Sequence, residues 1–239
     1  MLGDLSDPTR LCGFDADTQS SYFQPDGCNV SIDERGVVHL DANWHVADEK
    51  GLPYNVFAQV TLQYMQMLRD AGHSYRSIPN GSRYEGDPCT VVVFEVKARI
   101  IDPSQIFLTY GMGKDPVYDT MIYPTVTPVG TGETEYIVFD MGARKDFVGS
   151  SIHSMILTWM HDVSTKENVN SYMDICGIYL YADMETARLD LGFELPAEET
   201  PASPSILPSS PVPGGNGWDD EDLGDTIETD PTEAMEGYV

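Results

Sequence analysis

Four carboxylates stand on or beside apolar runs of this chain: Glu95, Asp140, Asp162 and Asp174. Two carboxyls flanking one bond are what glycoside cleavage needs, one to protonate the leaving oxygen and one to act as base or nucleophile. Each of the four also reads as an outward strand residue or a turn residue, and no strand carries a close acidic cluster. The histidines, His39, His45, His73, His153 and His161, show no HExxH or other metal spacing. His161-Asp162 reads as a solvated strand terminus. There is no GxSxG, no glycine-rich phosphate loop and no Cys–His motif. The residues present therefore predict a protein that is not an enzyme.

Aromatic side chains are the other candidates. The chain has 13 Tyr and 3 Trp. Such rings offer a flat apolar face and a polar handle, which suits the C–H faces and hydroxyls of sugars. Tyr110, Tyr118, Tyr123, Tyr136, Trp159, Tyr179 and Tyr181 fall on predicted strands or adjoining loops. For any one of them, core packing or a hydroxyl-to-backbone bond is the alternative. Asn80, Arg99, Gln105 and Asp140 are polar residues able to meet hydroxyls. Trp159, Tyr110, Tyr123, Tyr136, Tyr179, Tyr181 and Arg99 make up the expected ligand-binding set.

Charge narrows the partners. With 39 acidic against 13 basic side chains the net charge is −26. Nucleic-acid affinity comes largely from Lys and Arg neutralising phosphates, so nucleic acid is excluded as a partner, and anionic membrane surfaces with it. The acidity serves solubility or Ca²⁺ binding by carboxylates; no EF-hand loop is present. Four cysteines, Cys12, Cys28, Cys89 and Cys176, include no CxxC, which argues against zinc. Cys12 and Cys28 flank a loop-rich segment and are either a disulfide or buried thiols. No apolar run reaches the roughly 18 residues of a membrane span. MLGDLSDPTR lacks the basic and apolar regions of a signal peptide. The two readings are a cytosolic protein and a segment of a larger exported one, and the composition of the tail favours the second.

The elements that position these residues follow from hydrophobic periodicity. Phe14–Asp17 reads as a short first strand. Cys28–Ile32 and Gly36–Leu40 alternate around Asp33-Glu34-Arg35-Gly36, a hairpin signal. Gln59–Tyr64 alternates as a strand and leads into a helical turn through Ala71, ending at Gly72. Residues 73–88 read as a loop with the turn dipeptides Asn80-Gly81 and Asp87-Pro88. Thr90–Ile101 puts Val92, Phe94, Val96, Ala98 and Ile100 on one face and Val93, Glu95, Lys97 and Arg99 on the other, as in an outer strand of a sandwich. Gln105–Tyr110 and Met121–Val126 are short strands, and Pro124 marks the second as an edge. Tyr136–Met141, His153–Met160 and Tyr172–Ala182 are strands, the last two apolar on both faces. Met184–Leu191 is a short helix. From Pro196 the chain holds six prolines by Pro213, then an acidic run; it carries 11 Asp and Glu and no Lys or Arg, which leaves −15 on the rest. Such a composition reads as a linker or tail.

These patterns predict an all-β antiparallel β-sandwich of jelly-roll type over residues 10–192. One or two short helices, a flexible N-terminus (1–9) and a disordered acidic tail (193–239) complete it. EYIVFDMG, IHSMILTWM and YMDICGIYLYAD, with the earlier TVVVFEVKARI, resemble the successive strands of carbohydrate-binding-module-like β-sandwiches with the galactose-binding jelly roll. Those occur in bacterial multidomain extracellular proteins. The resemblance spans about residues 91–183. It implies a non-catalytic module that binds a polysaccharide or glycoconjugate beside neighbouring modules of a larger extracellular or cell-surface polypeptide. It also implies a structural Ca²⁺, with Asp15, Asp17 and Asp183 as the matching carboxylates. The alternatives are a structural or protein-interaction module of a bacterial surface protein without a sugar ligand, and a jelly-roll enzyme acting on glycosides.

Overall fold

Period-two alternation sorts the chain into strands, and tertiary pairing sorts the strands into two facing sheets. The computed structural model describes residues 10–42, 58–72, 75–78, 81–84, 89–100, 102–111, 121–144, 152–160 and 171–195, with 75–78 and 81–84 as backbone. In chain order the elements are β1 (Arg10–Cys12), α1 (Ala16–Gln19), β2 (Phe23–Asp26), β3 (Cys28–Ile32), β4 (Val38–Ala42), β5 (Ala58–Leu62) and α2 (Tyr64–Asp70). Then come β6 (Tyr75–Ile78), β7 (Gly81–Tyr84), β8 (Val91–Arg99), β9 (Phe107–Gly111), β10 (Thr134–Asp140), β11 (Ser154–Met160), β12 (Tyr172–Tyr181) and α3 (Met184–Leu191). The first sheet runs β10-β8-β12-β4-β3, with β1 also on β12; the second runs β2-β5-β11-β9. Every pairing within these sheets is antiparallel. From β8 to β12 the chain crosses between the sheets at every step, the connectivity of a jelly-roll β-sandwich.

The core lies between the sheets. β8 contributes Val92, Phe94, Val96 and Ala98, all fully buried. From the opposite sheet come Val60, Leu62, Leu108, Met155, Leu157 and Trp159. A second, smaller core lies on the outer face of the first sheet, where Val91, Val93, Val138 and Tyr179 meet Ala187 of α3 and Phe193. This explains why β12 is apolar on both faces: one side packs the sandwich and the other lies under α3. Asp183 caps that helix by accepting from the Thr186 N–H at 2.7 Å, and Gly192 ends it at φ +71°.

Several expectations change. The first strand is β1, earlier than Phe14–Asp17; the latter begins α1, because Asp15 accepts from the Asp17 and Thr18 N–H groups at 3.0 Å and so starts a helix. The expected loop at 73–88 contains the β6–β7 hairpin, with Tyr75 opposite Tyr84. Strand β9 starts two residues later than expected, since Asp102 caps a 3-10 turn at Pro103–Gln105. β8 is paired on both sides by β10 and β12, so it is a central strand and not an outer one. Among the described residues, Met121–Val126 forms only the single bridges Leu108–Ile122 and Val126–Val138. Phe193 is buried in the second core, so packing among the described residues continues just past residue 192. The N-terminus at 1–9 and the tail from 196 lie outside the described residues.

Candidate functional site

Register on the second sheet brings polar side chains from distant parts of the chain into rows. Val60, Leu62, Met155, Leu157, Leu108 and Tyr110 point inward, so their neighbours point outward. Pairing aligns Asp26 with Gln59, Gln59 with Thr158 and Thr158 with Phe107. The bridge between Leu108 and Ile122 sets Tyr123 beside Phe107, ring centroids 6.2 Å apart and tilted by 60°. A parallel row runs Gln24, Thr61, Ile156 and Thr109. The first row spans four strand intervals, about 19 Å.

Hydrogen bonds orient this row. Gln59 Nε2 donates to Asp26 Oδ2 at 3.0 Å, and Thr158 Oγ1 donates to Gln59 Oε1 at 3.2 Å. The Gln59 amide is thereby held at both ends before any ligand arrives. Thr158, Ile156, Thr109 and Phe107 are buried, Gln59 and Thr61 half-buried, and Gln24, Asp26, Met121 and Tyr123 exposed. Tyr123, at 61% exposure, is the most accessible aromatic of the face.

Of the expected ligand-binding set, only Tyr123 lies on this face. Trp159 is fully buried: it is the extra residue at a register shift between β11 and β5 and points into the core. Burying an aromatic of its size contributes about 4–6 kcal/mol, which is why the sandwich uses it as core. Its Nε1–H meets no acceptor at hydrogen-bond geometry among the described residues; burial pushes the neighbouring Cys28 thiol up to about 11, and the Trp159 side chain only partly opposes this. Tyr110 is also buried, with its hydroxyl accepting from Arg144 Nε at 3.0 Å and the guanidinium 5.8 Å from its ring centre.

Tyr136, Tyr179 and Tyr181 do come together, but on the first sheet and in its second core. The rings of Tyr179 and Tyr181 are parallel with centroids 6.4 Å apart, and Tyr136 packs against Phe193 at 6.1 Å. Tyr179 donates to Glu95 and Tyr181 to Asp190, each at 2.5 Å. Burial first, and then these carboxylates, push both phenol pKa values up. Arg10 completes the group, 3.7 Å from Glu95 and 5.1 Å from the Tyr179 ring centre. These tyrosines hold α3 on the sheet. Arg99 is exposed on the same sheet, opposite Tyr172 and away from the candidate row.

The carboxylates have other work. Asp15 and Asp183 cap α1 and α3, and hydrogen bonds from backbone N–H groups hold both carboxyls below the usual range. Asp15 and Asp17 line a cleft of about 650 Å³ with Asp33 and Glu34. Asp183 is not brought to them. The β3–β4 hairpin beside Asp15 meets β12 at Ile175, whereas Asp183 follows the far end of that strand. No group of three or more His, Cys, Asp or Glu is gathered at metal-binding spacing among the described residues. Asp174 pairs with His39 Nδ1 at 2.8 Å, while Asp33 lies 3.5 Å from its Nε2. Asp140 accepts from the Gly142 N–H, and Asp162 lies outside the described residues.

Neither a protein-family model nor a curated protein sequence matches the chain. Among solved structures it is similar to a family 29 carbohydrate-binding module from Piromyces equi, at 11% identity and a TM-score of 0.37, over 72% of this chain and 89% of that one. That likeness is too distant to transfer a residue role.

Sequence reasoning missed Asp26, Gln59, Thr158 and Phe107. The one available signal was the strict alternation of Gln59-Val60-Thr61-Leu62, which marks a polar outward face. Which residues continue that face depends on pairings across 33 and 99 residues.

Proposed function

We propose that this chain is a non-catalytic carbohydrate-binding module that takes a neutral polysaccharide across the outer face of its second sheet. The observation that carries this reading is the hydrogen-bonded row Asp26–Gln59–Thr158, which ends in the Phe107–Tyr123 aromatic pair. A sugar needs donors and acceptors for its hydroxyls and a flat apolar surface for its C–H face. The accessible members of the row supply both, Asp26 and the half-buried Gln59 to the hydroxyls and Tyr123 to the C–H face, and the bonds within the row reduce the ordering cost of binding. The strand interval, about 4.8 Å, is close to the length of one pyranose unit, so a chain crossing the strands meets about one sugar per strand. A net charge of −26 opposes uronate or sulfate polymers. The protein would act as one module of an exported multidomain polypeptide, a setting supported by the Pro-rich acidic composition from residue 196.

A protein-interaction or structural role is the second reading. It is favoured by the burial of Ile156 and Thr158 at the middle of the face, at 2% and 0% exposure. Affinity electrophoresis against β-glucan, mannan, xylan and polygalacturonate separates the two. Retardation is expected in at least one neutral gel and not in polygalacturonate. Tyr123→Ala is expected to weaken it about tenfold, equivalent to about 1.4 kcal/mol, with an unchanged melting temperature. Migration unaffected by every polysaccharide refutes sugar binding and leaves the second reading.

A further inference from the structure

The four cysteines do not stand in equivalent places, and none is in a disulfide. Cys28 is a core residue whose thiol donates to the Gln59 carbonyl at 3.2 Å, and Cys89 donates to the Val91 carbonyl at 3.1 Å. Cys12 and Cys28 were one pairing open to the sequence, but the structure places them on opposite sides of the first sheet. Leu11 points into the sandwich core, so Cys12 faces outward, whereas Cys28 faces the core.

Cys12 instead stands beside Cys176. In the β1–β12 pair, Cys12 is directly opposite Gly177. Cys176 is the residue before it, at the register shift where β12 has one residue too many for β8. On the other edge of β12, β4 pairs as far as Ile175 and β1 begins at Gly177. Cys176 therefore sits at a junction where no ladder holds its backbone in register, which leaves it room to adjust. Its electrostatic neighbours are Glu95, Lys97, Asp174 and Arg35; the first three are outward residues of the sheet, so the sulfur lies on the same face as Cys12. A Cβ placed on Gly177 would lie 3.5 Å from the Cys12 Cβ, so the Cys12 side chain leans over the glycine next to Cys176. One step along a strand from a directly opposed residue gives a Cα separation of about 6 Å. That is inside the span a disulfide bridges. Both residues are half-exposed, so an oxidant can reach them.

We propose that Cys12 and Cys176 form a disulfide under oxidising conditions and staple β1 to the bulge of β12. The oxidant is a small-molecule disulfide. The thiolate of one cysteine attacks it, forming a mixed disulfide and releasing one small thiol. The other cysteine's thiolate then attacks the protein sulfur of that mixed bond and releases the second thiol. Two protein thiols and one small disulfide thus become one protein disulfide and two small thiols, each protein proton ending on a released thiol. The bond closes a loop containing nearly every strand of the sandwich, so its effect on the unfolded chain is large, while β1 is a three-residue strand that gains a covalent anchor.

The test is to equilibrate the full chain with reduced and oxidised glutathione at set ratios, block thiols, and map peptides without reduction. The expected result is one cross-link, Cys12 to Cys176, with Cys28 and Cys89 recovered as thiols. The melting temperature of the oxidised form should be higher by about 5–10 °C and return on reduction. Cys12→Ser and Cys176→Ser should each abolish that rise. A Cys12–Cys28 bond, glutathione adducts left on both Cys12 and Cys176, or four unreacted thiols in excess oxidised glutathione would each overturn the proposal. The mapping on the unaltered chain decides the matter even if a serine variant folds poorly.

Discussion

Replacing Gly36 by alanine should unfold the corner where β1, α1 and the β3–β4 hairpin meet, and a second glycine provides the control. Gly36 has φ +80°, and a Cβ there would lie 2.3 Å from both the Cα and the carbonyl carbon of Gly13 and 2.5 Å from the Phe14 nitrogen. Carbon contacts normally settle at about 3.5–4.0 Å, so the two backbones would have to part by more than an ångström. That movement breaks the Phe14 N–H to Gly36 O bond, now 3.1 Å, and disturbs the buried Phe14 ring on Phe23, 4.9 Å away. Gly72 has φ +88° but nothing within 4 Å of an added Cβ. Gly72→Ala therefore measures the left-handed backbone cost alone, about 1–2 kcal/mol. Gly36→Ala should cost that plus about 1 kcal/mol for the hydrogen bond and about 1–3 kcal/mol for overpacking, or roughly 3–6 kcal/mol in all. Urea denaturation of the two variants and the parent, fitted with a common slope, reads the difference. Equal destabilisation of the two would refute the reasoning, because it would mean that the Gly13–Gly36 approach is not a steric constraint.

Two further outcomes are expected. Burial lowers the pKa of His39, but its bond to Asp174 and the charges of Asp174 and Asp33 outweigh this and raise it overall. A raised folded pKa gives stability that is fully present below the unfolded value near 6.5 and is lost as pH rises through the folded value. The stability lost in His39→Gln, measured by denaturant titration, should then be larger at pH 5.5 than at pH 8.5, by up to about 1 kcal/mol; a loss that is independent of pH would contradict the pairing. Asp183→Ala should lower the melting temperature by a few degrees through the lost α3 cap, equally in EDTA and in Ca²⁺. A drop seen only with Ca²⁺ present would place a cation at that carboxylate.

The strand at 91–99, the 28–42 hairpin, the three strands between 134 and 181 and the helix at 184–191 were legible in the sequence. Each rests on local periodicity, which depends on the pleat or the helical turn and needs no partner. Asp15 shows the limit of that reading. An Asp before a polar run serves a turn, a strand end or a helix cap; here its carboxylate accepts from the Asp17 and Thr18 N–H groups, while the adjacent Phe14 N–H bonds to the distant Gly36 carbonyl.

Alternation tells which residues share a face of a strand. It does not tell which face is inside when both are apolar, as in β11 and β12. Trp159 alternates with Met155 and Leu157 on the face that the opposing sheet covers, and the bulge in β11 brings Met160 onto that face as well; for Tyr179 and Tyr181 the return of α3 covered a face that the sequence left open. The candidate row lies further still from sequence reach. Asp26, Gln59, Thr158 and Phe107 meet only because three antiparallel registers coincide, and a one-residue slip in any of them would turn a polar side chain into the core. The sequence by itself determined the class of fold and the acidity of the chain. The tertiary structure decided which aromatics are core and which stand beside the polar row, because pairing between distant strands is a property of the whole sandwich and of no single segment.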